Sequence, residues 1–304
     1  MVDIDELKDK FSIDGKVKFA RQENNLIYLA VTNKFADAKI CLYGAHVMSF
    51  RPHNAEEVLW MSSKSSFTVG QPIRGGIPLC FPWFGPHKSD SDKPQHGFAR
   101  LRYWTLVETA TKPSDETFIR LQLCSSEDTK AFWPYDFCAE LTVLVGQTLE
   151  VSLKVTNQSV ETFEYTCALH SYYHLSSIEN ATITGLQGAS YHSQLEPGEF
   201  TQESPEIKIQ KAETRHYHNT VATCLIDDSR FKRKIRAAKA GSRITTVWNP
   251  GKETCATIGD MPEDGYLHFV CVEAINAFDD AITLTPGKSH TTAVIISSEE
   301  HGAI

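Results

Sequence analysis

The sequence contains no Cys-x-x-Cys pair, no apolar run long enough to span a bilayer and no surplus of basic charge. Each absence narrows the field. Without paired spacings, the eight cysteines (41, 80, 124, 138, 167, 224, 255 and 271) read as buried small hydrophobes in a reducing compartment. A disulfide or zinc framework is not expected of them. Without a long apolar stretch, no membrane-spanning helix is expected. The acidic start MVDIDELKDKF has no signal-peptide core, and the closing HGAI matches no targeting or prenylation signal, so cytoplasm is the default expectation. With 38 acidic against 30 basic residues, a net charge of −8, the chain is poorly suited to nucleic acid. A small anion is another matter, since a few local arginines bind phosphate inside an acidic protein. The Gly-x-Ser-x-Gly elbow, the P-loop and the dinucleotide fingerprint are also missing, which removes the usual support for a serine hydrolase, a kinase or a dehydrogenase.

What the sequence has in quantity is short segments of period two. LIYLAV (26–31), AKICLY (38–43), TFIRLQL (117–123), LEVSLKV (149–155), TFEYTCAL (162–169), VATCLI (221–226), RITTVW (243–248), LHFVCVEA (267–274) and TAVIIS (292–297) are β-branched and aromatic, and turn residues separate them. In LEVSLKV, Leu149, Val151, Leu153 and Val155 share one face and Glu150, Ser152 and Lys154 the other. Helical signals are weak: a turn or two within residues 3–11 and a short helix within 125–136, before Pro134. With no β-then-helix alternation and no linker, the expectation is an all-β, antiparallel sandwich forming one unit over 1–304, with residues 1–24 as a partly irregular extension. The basic run RFKRKIR (230–236) is expected to be a solvated or edge strand shielded by charge.

Four segments carry candidate chemistry. GQPIRGGIPLCFPWFGPH (70–87) packs four prolines and four glycines around Arg74, Phe81, Trp83 and Phe84. Its composition excludes regular structure, its aromatics favour burial, and such a loop shapes a pocket or plugs one end of a sandwich. QHGFAR (95–100) offers Gln95 and His96 for hydroxyls and Arg100 for an anion. In LHSYYHL (169–175), a strand would set His170 and His174 roughly 13 Å apart, too far to share a metal. His170 is then a single acid/base or sugar contact, and His174 a structural residue. His216 and His218 lack a third ligand for a metal. In FVCVEAINA (269–277), Glu273 sits in an apolar strand, where an ionised carboxylate is costly unless it is paired or functional.

In this order, YGAHVMSF (43–50), RGGIPLCFPWFG (74–85), QHGFAR (95–100), ALH (168–170), VWNP (247–250), CVEA (271–274) and LTPG (284–287) resemble the hexose-6-phosphate branch of the aldose 1-epimerase (galactose mutarotase-like) family. The resemblance runs from about Asn25 to Ser297 and implies a β-supersandwich. It implies His170 and Glu273 as catalytic acid and base. Arg74, Gln95, His96 and Arg100 follow as substrate contacts, and the partner is a small-molecule sugar phosphate, with no cofactor, metal, nucleic acid or membrane. The chain is expected to act as a monomer or weak dimer. One departure stands out: related enzymes carry an Asp in an E-T-D-x-x-Y stretch, where AETRHYHN (212–219) is one residue shorter and has none. Glu213 is open as a replacement, and Asp260, in a family-like stretch after VWNP, is open between a substrate contact and a structural role. A free-hexose epimerase, a silent sugar-binding protein and a module of a glycoside-processing enzyme are the competing readings; fold alone does not separate them.

Overall fold

A computed structural model describes residues 3–22 and 24–301; Met1, Val2 and Glu23 of the N-terminal segment, and Gly302 to Ile304 of the closing stretch, lie outside the described residues. The strands form antiparallel sheets, as the alternating pattern predicts. Nine strands form one sheet in the order Glu206–Ile207, Ala181–Thr184, Cys224–Asp228, Arg233–Ala240, Ser289–Glu300, Leu149–Asn157, Phe137–Val145, Thr117–Cys124, Thr105–Thr111. A second sheet runs Glu199–Thr201, Ser190–Ser193, Glu213–Tyr217, Ile244–Asn249, Phe269–Asn276, Cys167–Leu169, Leu79–Cys80, with Tyr172–His174 also paired to Phe269–Asn276. Among the described residues of the N-terminal segment, helix Ile4–Phe11 leads into Val17–Arg21, the first strand of a four-stranded sheet. The two expected helical segments appear as Ile4–Phe11 and Glu127–Lys130, and a further helix, Gly251–Thr257, follows VWNP.

The main core lies between the two large sheets. Val270, Val272 and Ala274 of the strand Phe269–Asn276 join it, together with Val294 and Ile296. The alternate residues face the other way. Phe269 and Cys271 join a separate cluster with Trp60, Tyr172, Cys255 and Met261, and Ile275 another with Cys80 and Ala168. Both faces of this strand are therefore covered, and every residue in it is buried.

Three expectations need correction. Arg233–Ala240 is an interior strand, hydrogen-bonded on both sides, and not an edge. The basic run tolerates this because Arg233 turns inward, 3% exposed, and donates to the carbonyls of Glu56 (2.9 Å) and His174 (2.6 Å). Lys234 and Arg236 remain exposed on the outer face. Cys124 and Cys138 are not separate buried hydrophobes: they stand opposite each other in adjacent strands and form a disulfide. The other six cysteines are free and buried. The expected strand 162–169 breaks at Thr166, which accepts a hydrogen bond from Phe84 N–H (2.8 Å) and donates its own N–H to Pro82 (3.0 Å). Phe163–Tyr165 pairs with Ile282–Leu284, while Cys167–Leu169 joins the second sheet.

The break is where the proline- and glycine-rich loop docks. Leu79–Cys80 adds a two-residue strand to the sheet, and Phe81 bridges to Gly97. The docking is close because Gly97 has no side chain: at φ +74°, a Cβ there would sit 2.1 Å from Phe81 O. Gly85 has a similar φ of +79° but open space around it. A left-handed backbone alone costs a non-glycine residue about 1–2 kcal/mol. Gly85→Ala should therefore lose about 1–2 kcal/mol in urea unfolding. Gly97→Ala should lose several kcal/mol more, or fail to fold, because backbone must move.

Candidate active site

The outward face of Phe269–Asn276 lies under that loop, and here the structure gathers most of the expected residues. Glu273 projects from the strand, its side chain 2% exposed. His170 comes from the turn between Cys167–Leu169 and Tyr172–His174, both of which pair with the Glu273 strand. Its backbone N–H is fixed to Pro78 of the loop (3.1 Å). The result is His170 Nε2 at 3.4 Å from Glu273 Oε1, with the imidazole side chain 12% exposed. The His170 ring stacks on Tyr172 (4.9 Å between centroids, 12° between planes) and meets the edge of Trp248 at 5.7 Å. His170 Nδ1 and Glu273 Oε2 are buried without a hydrogen-bond partner.

Burial pushes the Glu273 carboxyl well above the ordinary carboxylate range. Burial also holds the His170 imidazole well below its ordinary value, with His96, Arg74 and Arg100 adding to the effect. Both shifts favour the uncharged pair, in which one proton is available between carboxyl and imidazole.

His96 is held by the loop in a defined tautomer. Gly85 N–H donates to its Nδ1 at 3.0 Å, and His96 N–H donates back to Gly85 O at 2.7 Å. A ring nitrogen that accepts carries no proton, so the neutral ring presents Nε2–H as a donor. Burial, then Arg100 and Arg74, push the His96 pKa down to about 3, which keeps the ring neutral. Its ring lies 6.0 Å from that of His170 and 5.1 Å from that of Phe84.

Arg74 is braced from two sides. Its Nε donates to both carboxylate oxygens of Asp260 (3.1 and 3.2 Å) and its Nη1 to Tyr172 Oη (3.3 Å). Asp260, left open by the sequence, thus holds an arginine. Arg100 donates Nη2 to the main-chain carbonyl of Gln95 (2.7 Å), and its Nε is buried without a partner. Gln95 is the expected residue least committed to the site: its side chain is exposed, and its carbonyl is what the fold uses. Beneath the site, His46 Nε2 contacts Gly75 O at 2.8 Å.

Glu213, the open replacement, points away. Strand alternation puts it with Arg215 and Tyr217, and it pairs with Arg215 at 2.7 Å. Glu213 and Arg215 line a cleft of about 1080 Å³ whose walls include neither His170 nor Glu273. His216 faces the other way, in register with Thr246, which is itself in register with Glu273. Its Nδ1 lies 2.6 Å from Thr246 Oγ1, and its Nε2 is buried and unpartnered. His174 lies elsewhere and contacts Glu57 O at 3.2 Å.

Sequence reasoning missed Tyr172, which joins His170 to Arg74, and Trp248 and Cys271, and it set His216 aside for want of a third metal ligand. In the sequence the first three read as core of a strand. The pairing of Tyr172–His174 and Ile244–Asn249 with Phe269–Asn276 brings Tyr172 and Trp248 to the pair. Cys271 matters for metals: its sulfur, a His170 nitrogen and a Glu273 oxygen all lie within 4.8 Å of one another.

Comparisons with known proteins place the chain as a whole. The family model for aldose 1-epimerase matches residues 28–297. A protein of Salmonella typhimurium, provisionally named glucose-6-phosphate 1-epimerase, is 35% identical over 258 residues, covering 84% of this chain and 85% of its own. A protein of Escherichia coli with the same provisional name is 36% identical over 258 residues, with the same coverage. A crystal structure from Salmonella typhimurium, described provisionally as a mutarotase, superposes with a TM-score of 0.89 at 32% identity, covering 95% of this chain and 96% of the other. A galactose 1-epimerase from Lactobacillus acidophilus shares the fold at a TM-score of 0.73 and 12% identity, covering 94% of this chain and 99% of that one. By its matched length, its relatives and its architecture, the chain belongs to the aldose 1-epimerase family.

Proposed function

We propose that the protein interconverts the α and β anomers of a hexose 6-phosphate, with glucose 6-phosphate as the substrate its relatives' names suggest, and that His170 and Glu273 perform the proton transfers. The observation that carries this reading is the pair itself: an imidazole and a carboxyl 3.4 Å apart, buried, beneath the loop that carries Arg74, with the neutral His96 and Arg100 supplied by the segment the loop holds.

Mutarotation opens the pyranose, rotates C1 relative to C2 and recloses the ring on the other face of the aldehyde. Opening removes a proton from the C1 hydroxyl and adds one to the ring oxygen. Glu273 takes the first and His170 gives the second. Before opening, the pair is carboxylate and imidazolium; afterwards it is carboxyl and imidazole. The two forms hold the same number of protons. The uncharged form, which burial favours, is the one present while the sugar is open. Reclosure then runs the transfers backwards, with His170 as base and Glu273 as acid. His96 Nε2–H orients a hydroxyl. Arg100, with an unpartnered buried Nε, and Arg74, held rigid by Asp260 and Tyr172, receive the phosphate. Gln95 is assigned a hydroxyl contact that its exposed side chain makes only when substrate is bound. The cytoplasm is the proposed compartment, because hexose phosphates are charged and do not cross membranes unaided.

Exchange NMR on α-glucose 6-phosphate tests the pair. His170→Ala and Glu273→Gln should each lower kcat by about 10²–10⁴-fold with the fold intact by circular dichroism. Rates near wild type in both would sink the assignment. Phosphate recognition is tested separately by Arg100→Ala. One charge-assisted contact worth about 1.5–3 kcal/mol predicts a KM for glucose 6-phosphate raised about 10–150-fold. Turnover of free glucose should hardly change; an equal effect on both sugars would favour a free-hexose epimerase.

A further inference from the structure

Cys271 takes no part in the proton transfers above, yet it stands in the same cavity floor. It lies two residues before Glu273 on one face of one strand, and His170 reaches the pair from the adjoining segment. The three side chains bring one sulfur, one nitrogen and one oxygen donor to within 4.8 Å of one another, and Cys271 is fully buried. In a tetrahedral zinc site with Zn–N and Zn–O bonds of about 2.0–2.1 Å, neighbouring donors sit about 3.3–3.4 Å apart. The His170–Glu273 separation of 3.4 Å already matches that edge. Only the sulfur must draw in, by at most about 1.3 Å, to complete three corners. The exposed flank of His170 leaves the fourth corner open to water.

We propose that His170, Cys271 and Glu273 form a site for a thiophilic divalent cation, and that Zn²⁺ bound there reversibly blocks the enzyme. A donor set of one thiolate, one imidazole and one carboxylate selects Zn²⁺ or Cd²⁺ over Mg²⁺ and Ca²⁺, which take oxygen ligands. On binding, the Cys271 thiol and the Glu273 carboxyl each release a proton to solvent and a sulfur–zinc bond forms. His170 and Glu273 contribute lone pairs, and nothing is oxidised or reduced. Arg74 and Arg100 stand close enough to act on His170 and oppose a dication. This site is therefore one for reversible inhibition and not for a resident cofactor. Metal binding rests on the donor geometry alone; the inhibition rests on the proposed roles of His170 and Glu273.

Cobalt titration of the metal-stripped enzyme, with the Cys124–Cys138 disulfide left intact, reads the site directly. One equivalent of Co²⁺ should produce a near-ultraviolet thiolate-to-cobalt band that Zn²⁺ abolishes. In Cys271→Ala the band should be absent. That variant should anomerise at the wild-type rate without metal, and its sensitivity to Zn²⁺ should fall by about 10-fold or more. If Cys271→Ala fails to fold, Glu273→Gln serves in its place: its cobalt affinity should fall by about 10-fold or more, whatever its activity. An active wild type with no band, or a band of equal strength in Cys271→Ala, overturns the metal site and leaves the proposed function standing. A band in a wild type that does not anomerise any hexose overturns the function and leaves the site.

Discussion

Everything at the candidate site depends on a carboxyl placed where water does not reach. Glu273 stands on a strand whose two faces are both covered, one by the main core and the other by the loop that carries Arg74, Trp83 and Phe84. An ionised carboxylate there is costly in isolation, so its protonation is set by whatever stands beside it. His170 is that neighbour. The fold supplies it through a turn flanked by two short strands, both paired to the Glu273 strand, and this fixes the separation of the two side chains before any substrate arrives.

The loop does the covering, and its irregularity is what permits it. A regular strand would leave its own backbone groups to be paired. Here the loop distributes them between the sheet, Thr166 and His96. It also explains the broken strand at Thr166, where one segment serves two sheets so that the loop can dock. Asp260 fixes Arg74 from a separate part of the chain, 186 residues away. Arg74 and the His170–Glu273 pair are thus positioned independently and meet at Tyr172, which stacks on His170 and accepts from Arg74.

Much of this was legible in the sequence, because alternation reports burial on one face directly. Leu149–Asn157 alternates buried and accessible residues as the pattern predicts. Glu273 stood out because a carboxyl in an apolar run needs a reason, and Arg74 because it adjoins two glycines. Other features had no local signal. The disulfide between Cys124 and Cys138 depends on the register of two strands. The inward turn of Arg233 depends on carbonyls of Glu56 and His174, far away in sequence. Tyr172 and Trp248 look like core because in part they are core. Alternation does place Glu213 and His216 on opposite faces, but only the sheet order tells which face holds the acid–base pair.

The histidines around the pair have a consequence for the cell. Burial pushes His46 down to about 4 and both His96 and His216 to about 3. Between pH 5 and 8 these rings are fixed dipoles, and none of them behaves as a buffer. The field they impose stays constant while the surroundings acidify or recover. A sugar phosphate does change over this range, since its second ionisation falls at about pH 6. A falling pH would therefore alter the charge such a ligand carries in while these three rings stay neutral.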